Sequence, residues 1–276
     1  MAHVYPYCKG CYHEPKGVPA ILQVSVLASS SSGNSTLVST DRTRLLIDAG
    51  LSRKETFERL AAIGVAPESL DAILITHEHS DHVAGRPAIA KKLDIPVYCS
   101  RLTAPEIPWG EFSPKLELFQ AGASFVVGDI DIDSFTIPHD AADPVGFSFR
   151  TQGLKVSIAT DLGYLPESVR QQIQGSDVLL LESNHDLEML KVGPYPWSVK
   201  QRVMGRMGHL SNEVACSFIR EMLDSRTSTL ILGHLSEHNN HPEIVRLMAQ
   251  QSLEERSLAP TLVVAEPGKA QAACIY

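Results

Sequence analysis

The 276-residue chain lacks any apolar stretch long enough to span a bilayer. Its best candidates, residues 20–28 and 177–181, are too short. Gln23 and Ser25 also break the first, alternating with Leu22, Val24 and Val26 as in a strand rather than a secretion signal. A cytoplasmic protein with no membrane attachment is therefore expected. Cysteine is scarce: five residues, an odd count without a disulfide framework, as suits a reducing compartment. Cys99, Cys216 and Cys274 stand in apolar contexts and read as small core residues. Positive charge is in deficit, with 24 Lys+Arg against 32 Asp+Glu and a formal charge of −8. That excludes a surface basic all round for nucleic acid, but not a local basic strip. Repeats, heptads and Pro/Gly-rich linkers are missing, and the only low-complexity tract is the short Ser29–Ser32 run. One domain over residues 21–276 is expected, after a tail of residues 1–20. An apolar content of 43% with 20% charged residues is enough to build a core and excludes extended disorder.

The tail holds a Cys8-x-x-Cys11 pair with His13 behind it and His3 ahead. These are zinc-ligand types, and an extra structural Zn²⁺ held by Cys8, Cys11 and His13 is one reading. The other is a loosely docked tail, because structural sites usually draw two ligands from each of two segments.

Beyond the tail, residues 21–27, 36–39 and 44–48 read as strands around a Ser-Gly-Asn turn. Ser52 can cap a helix that runs to Ile63 and stops at Gly64. A β-branched run over 71–76 leads to a helix over 81–93 and a strand over 95–99. Short strands follow over 116–137, then a hairpin of 145–150 with 154–159 about Gly153. The second half alternates: helices over 166–173, 195–206, 211–223 and 242–255, and strands over 177–182, 228–232 and 261–264. Strand-rich stretches with helices in both halves point to an α/β fold, two packed sheets with helices outside: a four-layer αββα sandwich.

The chain has 11 histidines, and their grouping is the strongest signal. Residues 75–82, Ile-Thr-His-Glu-His-Ser-Asp-His, form an H-x-H-x-D-H cluster. On an extended strand end, residues i and i+2 point the same way, so His77 and His79 can grip one ion. A turn into the following helix places Asp81 and His82 where they can face a second. Imidazole with carboxylate suits Zn²⁺ and, with more oxygen character, Mn²⁺ or Fe²⁺. The cluster is not the H-E-x-x-H helix of a metalloprotease, because Asp81 stands where the second histidine would be.

The cluster resembles that of the metallo-β-lactamase superfamily, which carries it between a strand and a helix. The resemblance extends over nearly the whole chain after the tail. Residues 45–50, Leu-Leu-Ile-Asp-Ala-Gly, look like the superfamily's early strand, whose aspartate, Asp48 here, supports the site from behind. Pro138-His139-Asp140, Ala159-Thr160-Asp161 and Leu232-Gly233-His234 match its later site segments. The resemblance implies two divalent metal ions. His77, His79 and His139 would hold one, Asp81, His82 and His234 the other, and Asp161 would span both. His238 and His241 lie close enough in sequence to compete with His234, which ranks first because it ends a strand.

Finer marks are similar to the YycJ/WalJ-type proteins, exonuclease-like members of the superfamily. They are residues 26–35, Val-Leu-Ala-Ser-Ser-Ser-Ser-Gly-Asn-Ser, then Glu182-Ser183-Asn184-His185-Asp186, Gly208-His209-Leu210-Ser211-Asn212, and His234-Leu235-Ser236 followed by Asn239-Asn240. Two features depart from that pattern: Ser30 replaces a glycine, and the Cys-containing tail is additional. The resemblance implies a 5′→3′ exonuclease on double-stranded DNA, with duplex ends as its partner. It also suggests His209 as general acid, oriented by Glu182, alongside Asp81 and Asp161 as catalytic residues. Between Met189 and Asn212 there is no acidic residue, while Lys191, Lys200, Arg202 and Arg206 are present. On a helix, Arg202 and Arg206 share a face, and Tyr195 and Trp197 offer surfaces for stacking. Lys200, Arg202 and Arg206 are thus candidate substrate-binding residues, as are Asn184 and His185. The competing readings are a phosphodiesterase for small cyclic phosphates, using the same metals but no basic strip, and a metal-stabilised regulatory module without catalysis.

Overall fold

The strands Val178–Glu182 and Thr229–Gly233 bury every residue, which happens when both faces of a sheet are covered. A computed structural model describing residues 22–266 and 269–275 shows how. Among the described residues there are two seven-stranded sheets. In the first, β1 (Gln23–Ser30), β2 (Gly33–Ser39) and β3 (Arg44–Ile47) form an antiparallel meander. It continues in parallel through β4 (Ala72–Leu74), β5 (Val97–Ser100) and β6 (Leu116–Phe119). The second sheet runs antiparallel through β7 (Ser124–Val127), β8 (Ile130–Thr136), β9 (Val145–Thr151) and β10 (Leu154–Ala159). It then turns parallel through β11 (Val178–Glu182), β12 (Thr229–Gly233) and β13 (Thr261–Val264). A last strand, β14 (Gln271–Ile275), pairs with β1 and returns the chain to the first sheet.

Alternation along the strands separates the layers. Val24, Val26, Leu45 and Ile47 face Phe147, Phe149, Val178 and Leu180 between the sheets. Their sequence neighbours point outward. Leu37, Leu46, Ile73 and Ile75 pack under α1 (Arg53–Ala62), α2 (Ser80–Val83) and α3 (Arg86–Leu93) through Leu60, Val83 and Ile89. Short α4 (Thr103–Glu106) follows β5, and α5 (Glu167–Ile173) follows β10. Leu179, Leu181, Leu230 and Leu232 pack under Val169 of α5, Ile219 and Val245. The latter two belong to α8 (Asn212–Met222) and α9 (Pro242–Glu255), and between them and β11 come α6 (Leu187–Val192) and α7 (Trp197–Val203). The expected four-layer αββα sandwich is what the chain forms.

Several elements differ from the sequence reading: α4 and β14 are additional to it, and three more differences bear on the site. The helix expected over 81–93 is two, because Gly85 interposes and Pro87 starts the second. The helix expected over 195–206 stops at Val203, so Arg206 lies beyond it and does not share a helical face with Arg202. The α6 turn, not anticipated, is capped by Asp186, whose side chain accepts from Met189 N at 2.8 Å. Cys99 and Cys216 are buried as expected. The side chain of Cys274 and the proposed Cys8, Cys11 and His13 site lie outside the described residues. Among the described residues no helix is long and apolar enough to cross a membrane.

Candidate metal centre

Where parallel strands end, loops converge, and in open α/β sheets that edge carries the ligands. Here the carboxyl ends of β3 and β4 in one sheet meet those of β10, β11 and β12 in the other. Asp48, Asp161 and His234 each follow such a strand and each adopts a left-handed backbone, with φ of 59°, 60° and 58°. That conformation is unfavourable for most residues with a Cβ, although Asp and His enter it more readily than others.

Asp48 accepts hydrogen bonds from Thr76 N at 2.9 Å, Thr76 Oγ1 at 2.9 Å and His82 Nδ1 at 2.8 Å. The imidazole of His82 is thereby fixed with Nε2 directed away from Asp48. Gly50 explains the Asp-Ala-Gly ending of this segment. A Cβ there would lie 1.6 Å from the Asp81 carbonyl oxygen, so only glycine lets α2 approach. Ala49 N donates to His82 O at 2.8 Å, stitching α2 to the loop.

Two groups of donor atoms result. His77 Nε2 and His139 Nε2 stand 3.1 and 3.3 Å from His79 Nδ1. His139 Nδ1 donates to the Gly208 carbonyl at 3.1 Å, leaving Nε2 with its lone pair. Burial lowers the pKa of His77, helped by the imidazoles of His82, His139 and His79. Burial also lowers that of His139, against the opposing pull of Asp161. Both are thus neutral, the form that ligates. The second group is Asp81, His82 and His234, whose candidate ligand atoms all lie within 4.8 Å of one another. Asp161 stands between the groups: Oδ2 is 3.3 Å from His82 Nε2, and Oδ1 is 3.4 Å from His234 Nε2 and 3.8 Å from His139 Nε2. Burial opposes charge on His82 and His234, but carboxylates outweigh it. Asp161, Asp48 and Asp81 raise His82, and Asp161, Asp81 and Glu182 raise His234 to about 10. An ion at this spot would replace those protons.

Glu182 sits beneath the site, fully buried. Its Oε1 accepts from His209 Nδ1 and His234 Nδ1, both at 2.8 Å. Its Oε2 accepts from Leu162 N at 2.9 Å and Leu210 N at 3.1 Å. Burial alone would raise its pKa, yet the two imidazoles hold it below the usual carboxylate range. One carboxylate therefore fixes both rings.

A metal fits this donor set on two counts. Asp161 Oδ2 and His234 Nε2 are buried and make no hydrogen bond, although other polar atoms converge on them at 3.3–3.7 Å. And the chemistry is imidazole plus carboxylate with outer partners already in place. A cavity of about 200 Å³ opens over His79, Asp81, His139, Asp161, His209 and His234.

The other candidates are scattered. Arg202 lines the cavity and pairs with Asp140 at 2.9 Å. Lys200 does not: it is buried, and its Nζ donates to the Lys191 carbonyl at 2.7 Å. Arg206 stacks over the Tyr164 ring at 4.2 Å. Asn184 and His185 are also buried and lie outside the cavity wall. Asn184 donates to the His234 carbonyl at 2.8 Å, bracing the strand end rather than facing substrate. Burial lowers His185 to about 4. Sequence reasoning missed the role of the β1–β2 turn. Asn34 Nδ2 lies 3.2 Å from Asp81 Oδ2 and 3.0 Å from His82 Nε2, and Ser29 Oγ accepts from His234 N at 2.7 Å. The Ser-Gly-Asn turn signal marked the place but carried no information about which strand end it would meet.

Residues 43–235 match the family described as "Beta-lactamase superfamily domain". The chain is 40% identical to an exodeoxyribonuclease YycJ of Bacillus anthracis over 238 residues, covering 85% of this chain and 90% of the relative. It is 39% identical to an exodeoxyribonuclease WalJ of Streptococcus pneumoniae over 239 residues, covering 85% and 89%. Among solved structures, the metallo-β-lactamase fold protein YhfI from Bacillus subtilis superposes with a TM-score of 0.68 at 17% identity, covering 90% of this chain and 98% of that one. The Zn²⁺-bound PqqB from Methylobacterium extorquens gives 0.65 at 17% identity, covering 91% and 100%. These two show a shared fold.

Proposed function

As a member of the metallo-β-lactamase superfamily and of its YycJ/WalJ exonuclease-like family, the chain is a metal-dependent hydrolase, and we propose that it removes nucleotides from the 5′ ends of double-stranded DNA. The observation that carries this reading is the pair of donor groups meeting at Asp161, under a cavity that also exposes His209. His77, His79 and His139 would hold one divalent ion, and Asp81, His82 and His234 a second, with Asp161 shared. Zn²⁺ and Mn²⁺ suit these donors. When bound, such ions supply Lewis-acid stabilisation of phosphate charge and activation of water at neutral pH.

The chain's own residues do the rest. Asp48, Glu182 and the Gly208 carbonyl fix the rings of His82, His234 and His139, so the ligand atoms are set before substrate arrives. Glu182 Oε1 accepts the hydrogen bond of His209 Nδ1–H, which leaves Nε2 as the atom available to the cavity. With a second proton on Nε2, His209 would pass that proton to the leaving oxygen as the P–O bond breaks and be left neutral, its Nδ1–H still on Glu182. Asp140 holds the Arg202 side chain at the rim.

The test uses metal-loaded protein with end-labelled linear duplex, circular duplex, single-stranded RNA and methyl p-nitrophenyl phosphate. Linear DNA should shorten from the 5′ end while the circle survives. Asp161→Ala should lose at least about a thousandfold on DNA, the scale of removing a group central to catalysis. Intact DNA with a hydrolysed small diester would refute the exonuclease reading, and cleavage of RNA instead would redirect it.

A further inference from the structure

The cavity over the metal centre has two walls of unlike chemistry. One is the His and Asp cluster. The other is α7 and the turn after it, which contribute Val199, Val203 and Met207, with Arg202 beside them. Val199 is 38% and Met207 51% exposed, so these two side chains are left uncovered among the described residues. Single exposed apolar side chains need no explanation, but two on one wall of an otherwise polar site, beside the half-buried Val203, do.

That wall is fixed to the chemistry. His209 N donates to the Val203 carbonyl at 2.9 Å, and Gly208 N to the Gly205 carbonyl at 2.9 Å. A Cβ on Gly208 would lie 2.2 Å from the Val203 carbonyl oxygen, so the turn packs against the helix end as tightly as backbone allows. Met207 is thus placed next to Gly208, which holds His139, and His209, which reaches Glu182. Among the described residues Arg202 is the one arginine or lysine lining the cavity. Its Nε is committed to Asp140, and its two Nη atoms bond nothing among the described residues.

An apolar strip beside one guanidinium matches a nucleotide: base face and sugar carbons against the strip, phosphate on Arg202. Val199, Val203 and Met207 offer no hydrogen bond to a base edge, so they cannot read sequence. The cavity, at about 200 Å³, is below the ~300–1,000 Å³ of pockets that enclose a whole drug-sized ligand. It is too small to take in a base pair.

We propose that the α7 wall is a sequence-indifferent subsite for one unpaired nucleotide, so that a duplex end must open before its terminal phosphodiester reaches Asp161. This rests on the exonuclease reading above. It names Met207, Val203 and Arg202 as the residues that select an open end.

The experiment compares initial rates on a blunt duplex and on the same duplex with its two terminal pairs mismatched, each with every terminal base. The opened end should be degraded about tenfold faster, the equilibrium cost of undoing one average stack. Met207→Gln and Arg202→Ala should each raise KM on the opened end about fivefold or more, with kcat within about twofold, as expected for loss of base stacking or of one phosphate contact. Arg202→Ala should also flatten the salt dependence of KM. Equal rates on paired and opened ends, or unchanged KM in both variants, would overturn the subsite, as would a strong terminal-base preference on opened ends. Loss of every DNA activity with the small diester still cleaved would instead overturn the exonuclease reading itself.

Discussion

Replacing Glu182 with glutamine keeps its shape and changes one thing: an acceptor oxygen becomes a donor nitrogen. Both oxygens are fully used, Oε1 by His209 Nδ1 and His234 Nδ1 and Oε2 by Leu162 N and Leu210 N. The amide can satisfy only one pair. If its nitrogen faces the two backbone N–H groups, donors meet donors in a site with no water access. Two buried unsatisfied N–H groups cost roughly 2–6 kcal/mol together, a large part of the ~5–15 kcal/mol that holds a domain folded. If its nitrogen faces the imidazoles, their Nδ1 atoms must accept, and the protons move to Nε2. In His234 that is the atom directed at Asp81 and Asp161. A ligand carrying a proton there should weaken metal binding about 10–100-fold, the range for lost outer partners. The assay is urea unfolding of chelator-treated wild type and Glu182→Gln, with calorimetric Mn²⁺ and Zn²⁺ titration of both. Either the midpoint falls or the affinity does. A variant matching wild type in both would refute the claim that this carboxylate fixes the two rings.

Two further outcomes are expected. In chelator-treated protein, His234 has a pKa raised to about 10 by Asp161, Asp81 and Glu182 against the burial that lowers it. Its stabilising contribution is fully present below about 6.5, the unfolded value, and is lost as pH rises through about 10. Unfolding free energy measured by urea should therefore fall from pH 6.5 to 10, and the fall should shrink in His234→Asn; equal slopes would count against it. Gly50→Ala would force a Cβ to within 1.6 Å of the Asp81 carbonyl, so α2 must move. Destabilisation of about 2–4 kcal/mol by urea melt is expected, on the scale of overpacking with backbone strain, together with weakened metal binding; a wild-type melt would show that the loop gives way easily.

How much of this was readable from the chain alone depended on range. The His77–His82 cluster was legible because its geometry is local: a strand end and the next helix turn fix where those side chains go within six residues. The layers were legible too, since β11 and β12 bury every residue and the hydrophobic runs say so. Failures came where a long-range contact decides. Lys200 looked like surface charge, yet its stem is covered and its ammonium caps the end of α6 at Lys191. Arg206 appeared one turn from Arg202, but the helix stops at Val203 and the arginine finds Tyr164 instead. Asn34 read only as a turn residue. Its amide reaches Asp81 and His82, 47 and 48 positions away, because the start of β2 and the helix that follows β4 lie at the same edge of the first sheet.

The same long-range logic explains why three strand ends carry left-handed aspartate or histidine where glycine would be easier. A non-glycine residue at φ near 60° costs on the order of 1–3 kcal/mol. Glycine at 48, 161 or 234 would remove that cost and, with it, the brace on His82, the carboxylate between the two histidine groups or the His234 imidazole. The conformation turns the chain sharply as it leaves the sheet, so that the side chain remains over the strand ends. The hydrophobic layers on both sides of β10, β11 and β12 hold the backbone there, with Ala159, Leu179, Leu181 and Leu232 on the outer face and Val156, Ile158, Val178 and Ile231 on the inner. Where a side chain would instead block the approach of α2, at Gly50, the sequence uses glycine. At these four positions the choice between glycine and a larger side chain thus follows whether the space beyond the strand end holds a polar side chain of the site or another segment of backbone.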